Sequence, residues 1–274
     1  MEYAMGFVRT PEEMEIIKSL ALRPLHLIYY DRLTAVFETD PDFVRHVLPP
    51  CFEPAPQATA CATVSSWKVP REKFMVATLN VRAVFEGEEG WYDIIHLIST
   101  DMASYFGRDM YGECKKVGTM DIRADGQKVF ATGDRFGHRL IEIDAEFGED
   151  LGPEEIEGKC FGLKGHIATD RYSLDADPEV HVIRLTEKRA SYRKGQGTVK
   201  LPGSEIDPTH TVPVGNMIEM GRASGTYYMA PERSVTIEGQ RDVYAPYVFG
   251  RFYDFALPAK DQVSTILKEY ELDA

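Results

Sequence analysis

The stretch His138-Arg139-Leu140-Ile141-Glu142-Ile143-Asp144-Ala145-Glu146-Phe147 decides the fold class. Ile141, Ile143, Ala145 and Phe147 alternate with Glu142, Asp144 and Glu146. Side chains along a strand point to opposite faces in turn, so this stretch predicts a strand with one buried and one wet face. The three carboxylates could hold a cation, but a solvated face explains them more simply.

Working outward, Leu33 to Glu38 is short and apolar, and Phe74 to Glu86 is long, rich in Val, Thr and Phe, ending at a turn over Gly87 to Gly90. Val180 to Leu185, Ala190 to Leu201 and Tyr227 to Ile237 read as further strands. Tyr227, Tyr228, Tyr244, Tyr247 and Tyr253 read as sheet and interface aromatics. The acidic run Glu146 to Glu157 reads as a solvated loop.

Helices are few. Thr10 can cap a helix that Pro11 starts, with Glu13 placed to reach back, and Met14 and Ile17 then share a face. Asp40-Pro41 opens a second short helix, which Pro49-Pro50 ends. Ser99 to Met110 has helical spacing, and Val263, Ile266, Leu267 and Tyr270 predict a C-terminal helix. Glu219, between Met217 and Met220, is expected in a helix. Long strands without regular intervening helices argue against a doubly wound parallel sheet. They predict one α+β domain over residues 1–274, built on a large antiparallel sheet or closed β-barrel with a few flanking helices.

Lys and Arg number 31 against 44 Asp and Glu, a formal net charge of −13, which disfavours nucleic acid and anionic membrane as partners. No apolar run reaches the ~18 residues a membrane span needs. Met1 to Phe7 carry no basic cluster ahead of an apolar core, so no secretory signal is expected. Cys51, Cys61, Cys114 and Cys160 form no C-x-x-C pair, so reduced thiols in the cytoplasm are expected, with no zinc site. The seven histidines show no metal-ligand spacing, and His26, His96, His138 and His166 read first as core or surface residues. His96 precedes the helix at Ser99 and could face a pocket. There is no G-x-S-x-G elbow and no P-loop.

The stretch richest in chemistry is Gly107-Arg108-Asp109-Met110-Tyr111-Gly112-Glu113-Cys114-Lys115-Lys116-Val117-Gly118. Gly112 is placed to end the helix before two adjacent lysines. Burial disfavours an ammonium, a second ammonium beside it acts the same way, and a neutral amine can form a Schiff base with a ketone. Alone, a Lys-Lys pair reads as a solvated surface dipeptide.

The stretch resembles the signature of the acetoacetate decarboxylase family: Gly-Arg-Glu, a short variable segment, then Pro-Lys-Lys, a hydrophobic residue and Gly. Gly107, Arg108, Lys115, Lys116 and Gly118 match in register. Phe37 to Asp40 with its following helix, Phe85 to Tyr92 and Leu163-Lys164 resemble further parts of the family pattern. The resemblance implies that Lys115 is a Schiff-base lysine and Lys116 the cation that activates it. It implies a small carbonyl or carboxylate substrate, no cofactor and a homo-oligomer.

The departures bear on the reaction. The family's catalytic glutamate falls at Val76, a second pocket glutamate near Cys61, and its carboxylate-holding arginine at Tyr30, with Arg32 one slip of register away. Arg108 and His96 complete the candidate substrate contacts. Glu113 could replace the missing acid or base, or be a surface residue. An apolar Val76 and aromatic Tyr30 imply a substrate larger or less polar than acetoacetate. Decarboxylation of a keto acid is the first expectation. An aldolase-dehydratase using the same iminium is the second, and a non-catalytic binder of a carbonyl or apolar ligand the third.

Overall fold

The computed structural model describes residues 8–21, 28–70 and 72–252. The expected C-terminal helix, His26 and Tyr253 lie outside them. Helix α1 (Pro11–Ala21) starts with the capping box: Thr10 N–H donates to Glu13 Oε2 at 3.0 Å, and Glu13 N–H to Thr10 Oγ1 at 3.2 Å. Strand β1 (Ile28–Glu38) leads to α2 (Pro41–Val47), whose N-cap Asp40 accepts from the backbone of Asp42 and Phe43. The strands β2 (Glu53–Pro54), β3 (Thr59–Val69), β4 (Glu72–Phe85) and β5 (Glu88–Ile98) follow. Glu86 and Gly87 have φ of 50° and 81°, so a two-residue turn joins β4 to β5, and Gly90 belongs to the strand.

After β5 come α3 (Asp101–Tyr111), β6 (Lys115–Val117), β7 (Thr119–Asp125), β8 (Lys128–Arg135), β9 (His138–Asp150) and β10 (Glu154–Lys164). The acidic run therefore lies mostly in two strands, with only residues 151–153 between them. Strand β11 (Glu179–Lys200) joins the two strands expected there into one of 22 residues. Strand β12 (Met217–Thr236) contains Glu219, which was expected in a helix. Helix α4 (Arg241–Phe252) carries Tyr244 and Tyr247, which were expected in the sheet.

All the described strands join one sheet. Seven of them run β10-β5-β4-β3-β1-β12-β11, and β11 pairs back onto β10, closing a ring. The expectation of an α+β fold on a large sheet closed on itself holds. The pairing is antiparallel throughout except for β10 with β5 and β6 with β5, which are parallel. Strand β11 closes the ring with Glu179–Arg189 and extends beyond it with Arg193–Lys200 to pair β9, adding the layer β9-β8-β7.

Residues paired across a ladder share a face. Leu33, Val64, Ala77 and Leu97 form one such row, and Ala35, Ala62, Leu79 and Ile95 the next. These rows are buried against Ile141, Ile143, Val129 and Ala131 of the second layer, making the main core. At Gly133 of β8 an added Cβ would lie 2.8 Å from the Ala77 Cβ, so the two layers approach there with only the Ala77 methyl group between them. The opposite face of the same strands looks into the ring. It carries a separate cluster of Tyr30, Tyr192, Ala223 and Tyr227, with Trp67 packed on it.

Candidate active site

The helix α3 delivers the lysine pair. Gly112 ends it with φ 67°, its N–H turning back to Arg108 O at 3.2 Å. The chain then doubles tightly: Lys115 N–H donates to Glu113 C=O at 2.8 Å before entering β6. Glu113 and Lys115 thus stand on one side, and Lys115 Nζ lies 2.7 Å from Glu113 Oε2. Both are enclosed, the Lys115 side chain 14% and the Glu113 side chain 9% exposed. Burial pushes the Glu113 carboxyl up, but the Lys115 ammonium and His96 together hold it below its ordinary value. An added Cβ at Gly107 would collide with Glu113 Oε2 and Lys115 Nζ. The absent side chain of this signature glycine is the space the ion pair occupies.

Register brings most of the other candidates to the same face. Lys115 pairs with His96, His96 with Thr78, Thr78 with Thr63 and Thr63 with Thr34. One row along, Arg32 pairs with Ser65, Ser65 with Val76 and Val76 with Ile98. Tyr30 lies a further row away, opposite Trp67 and then Phe74. Lys115, His96, Val76, Arg32 and Tyr30 therefore all face into the ring.

Lys116 is on the other face. Adjacent strand residues point apart, and Lys116 pairs with Leu97 on the core side. Its Nζ lies 2.7 Å from Asp207 Oδ1, while Arg135 Nη1 holds Asp207 Oδ2 at 2.8 Å. This corrects the expectation of two ammonium groups side by side. Lys116 also lines a cavity of about 630 Å³ with Leu79, Ile94 and Ile95, behind the ring wall. Arg108 is likewise not brought to Lys115; its guanidinium lies over the Phe252 ring at 5.0 Å.

Sequence reasoning missed several groups. Glu187 of β11 accepts from Tyr30 Oη at 3.0 Å and from Arg32 Nη2, and from Arg189 Nε at 3.1 Å. Burial raises the Glu187 carboxyl, but Arg32 and Arg189 outweigh it and hold it low. Arg32 Nε is buried with no acceptor. Cys160 of β10 interacts with Asp93, Glu113 and Lys115, and burial raises its thiol well above the ordinary value. Trp67, Phe74, Tyr30 and Tyr227 form a continuous aromatic wall, with Trp67 and Tyr227 centroids 5.0 Å apart and edge-on.

Asp93 was also missed. A strict alternation puts residues 93 and 96 on opposite faces. Ile94, however, is an extra residue: Leu79 pairs with Ile95 and Asn80 with Asp93. This bulge returns Asp93 to the face of His96. Donor atoms of Asp93, His96 and Glu113 lie within 4.8 Å of one another, a spacing that would admit a cation, but the Lys115 amine already gives Glu113 its counter-charge. The geometry thus places an amine, a carboxylate, an imidazole and a guanidinium on the inner side of the ring.

The family model for acetoacetate decarboxylase matches residues 19–234. The chain belongs to the acetoacetate decarboxylase family. Among solved structures it is similar to acetoacetate decarboxylase from Legionella pneumophila subsp. pneumophila str. Philadelphia 1, at 14% identity and a TM-score of 0.68, over 86% of this chain and 94% of that one. It is similar to an acetoacetate decarboxylase-like enzyme from Sphingomonas wittichii RW1, at 14% identity and a TM-score of 0.59, over 78% of this chain and 96% of that one. It is also similar to the enduracididine biosynthesis enzyme MppR, complexed with the condensation product of pyruvate and imidazole 4-carboxaldehyde, at 13% identity and a TM-score of 0.59, over 79% of this chain and 90% of that one. At these identities the likeness to solved structures is one of fold. No curated protein matches the chain.

Proposed function

We propose that this member of the acetoacetate decarboxylase family is a Schiff-base lyase acting on a keto acid, with Lys115 as the nucleophile. The observation that carries the reading is the enclosed Lys115–Glu113 pair at 2.7 Å, on the same face of the sheet as Arg32. Glu113 takes a proton from Lys115, and the freed amine adds to the ketone. Return of that proton lets water leave and the iminium form. The iminium accepts the electron pair of the breaking carbon–carbon bond, carbon dioxide departs, and the resulting enamine is protonated and hydrolysed.

The buried, acceptor-free Nε of Arg32 suits the substrate carboxylate. The wall of Tyr30, Trp67, Phe74 and Tyr227, with Val76 in the row between Arg32 and Ile98, suits an apolar or aromatic body larger than a methyl ketone. Four free cysteines suit a reducing compartment such as the cytoplasm. Exposed Met14, Ile16 and Ile17 on α1 suit a homo-oligomer.

An aldolase-dehydratase is the second reading, favoured by the acid–base groups Asp93, His96 and Glu113 beside the lysine. The test is borohydride reduction with a panel of aliphatic and aromatic 3-keto acids, read by mass at Lys115. Trapping with carbon dioxide release supports the decarboxylase. Trapping with condensation or dehydration products and no carbon dioxide supports the second reading. No adduct at Lys115 with any keto acid overturns both.

A further inference from the structure

Five polar side chains on the inner face of the ring form one directed chain. Thr78 Oγ1 donates to Asn80 Oδ1 at 2.8 Å. A hydroxyl has one proton, so the 2.8 Å contact between Thr63 Oγ1 and Thr78 Oγ1 is a donation from Thr63. With its oxygen committed to Thr78, the Asn80 amide turns its NH2 toward Asp93, and Asn80 Nδ2 donates to Asp93 Oδ1. Asp93 is then held as an acceptor. Its other oxygen, Oδ2, lies 2.7 Å from His96 Nδ1. A carboxylate accepts and does not donate, so His96 carries a proton on Nδ1, and in the neutral ring Nε2 then keeps a free lone pair.

His96 sits opposite Lys115 in the register, and a donor atom of it lies within 4.8 Å of Glu113. We propose that the Asp93–His96 dyad is the group that moves the proton at the substrate carbon, with Asp93, Asn80 and Thr78 as positioning residues that fix the His96 tautomer. The proposal rests on the Schiff-base reading of Lys115 and adds the residue that completes its carbon chemistry. After the carbon–carbon bond breaks and carbon dioxide leaves, the enamine carbon takes the proton from Nε2 of the His96 imidazolium. The ring returns to the neutral Nδ1–H form, and solvent water resupplies Nε2. In a condensation the same Nε2 lone pair removes a proton from the carbon next to the iminium. The Asp93–His96–Nε2 order is that of a carboxylate-oriented base, in which the carboxylate fixes the tautomer and does not itself take the proton.

Two measurements test this. Imidazole ¹⁵N NMR of the wild-type protein at a pH where His96 is neutral is expected to show the Nδ1–H tautomer. An Nε2–H tautomer overturns the proposal, whatever the substrate proves to be. The second is Asp93→Asn, which puts an amide NH2 against Nδ1 and so inverts the tautomer. With a keto acid that wild-type protein turns over, kcat is expected to fall about 10²–10⁴-fold, while KM and borohydride trapping at Lys115 stay within about threefold. An unchanged kcat in a folded Asp93→Asn protein overturns the proposal and leaves the Lys115 reading standing. If Asp93→Asn does not fold, Thr78→Val and the wild-type spectrum decide: Thr78→Val is expected to admit a measurable Nε2–H fraction, and an unchanged Nδ1–H signal removes the positioning chain. Absence of any Lys115 adduct in wild type overturns the Schiff-base reading, while the tautomer remains readable on its own.

Discussion

Glu113 Oε2 lies 2.7 Å from Lys115 Nζ, and the Lys115 N–H donates to the Glu113 carbonyl at 2.8 Å, so backbone and side chain join the same two residues. The backbone contact fixes how far apart the two side chains start. The side-chain contact then needs little further ordering.

Removing one partner of an enclosed pair leaves the other charge unmatched. Glu113→Gln is expected to cost about 3–5 kcal/mol of stability, read by denaturant unfolding. The pH dependence has a definite sign. The folded Glu113 carboxyl is held below its ordinary value of 4.5, so its contribution is complete above about that pH and is lost as pH falls through the lower folded value. Stability of Glu113→Gln is therefore expected to fall less steeply below pH 4.5 than that of the wild type.

Gly107→Ala places a methyl group in the space of the ion pair. The clashing atoms are side-chain atoms of Glu113 and Lys115, which can swing aside. Turnover is expected to fall at least tenfold while the melting temperature changes little. Equal activity in the two proteins would mean that the position of the amine does not matter.

Lys116 answers to Asp207 on the core side, not to Lys115. Lys116→Met is expected to destabilise the protein by about 1–3 kcal/mol and to leave the pH profile of kcat in place. A shifted pH optimum at unchanged stability would instead restore the role of a neighbouring cation.

Arg32→Gln removes the guanidinium whose Nε has no acceptor, while Arg189 still serves Glu187. KM for a keto acid is expected to rise about 10–100-fold, the worth of a charged hydrogen bond of ~1.5–3 kcal/mol. A neutral ketone tested as a ligand should be affected much less.

The sequence made some features plain because local chemistry settles them. The Thr10–Glu13 capping box, the Asp40 cap and the alternation in β9 need no tertiary context. The signature stretch placed Lys115 because its glycines match geometric needs: φ at Gly112 and space at Gly107. Other features were hidden by exceptions to period and composition. Strand β11 read as two because Glu187 and Arg189 interrupt its apolar run, yet Glu187 forms ion pairs with both Arg32 and Arg189. Helix α4 contains Pro246 and Gly250, two residues that weaken a helical pattern in the sequence. The acids of residues 146–157 read as loop although all six of them sit in strands. Lys116 drew attention for its position in the chain, but a strand sends neighbours apart.

The single extra residue at Ile94 has a consequence for comparing this protein with its relatives. Columns of an alignment record which residues occur, not which way they turn. A homologue could keep both the aspartate and the histidine, lose one residue between them, and present the two side chains to different compartments. Identity at the two positions would then predict a shared proton carrier where none exists. Spacing between them, more than their identity, is the character to follow when this branch of the family is sorted by chemistry.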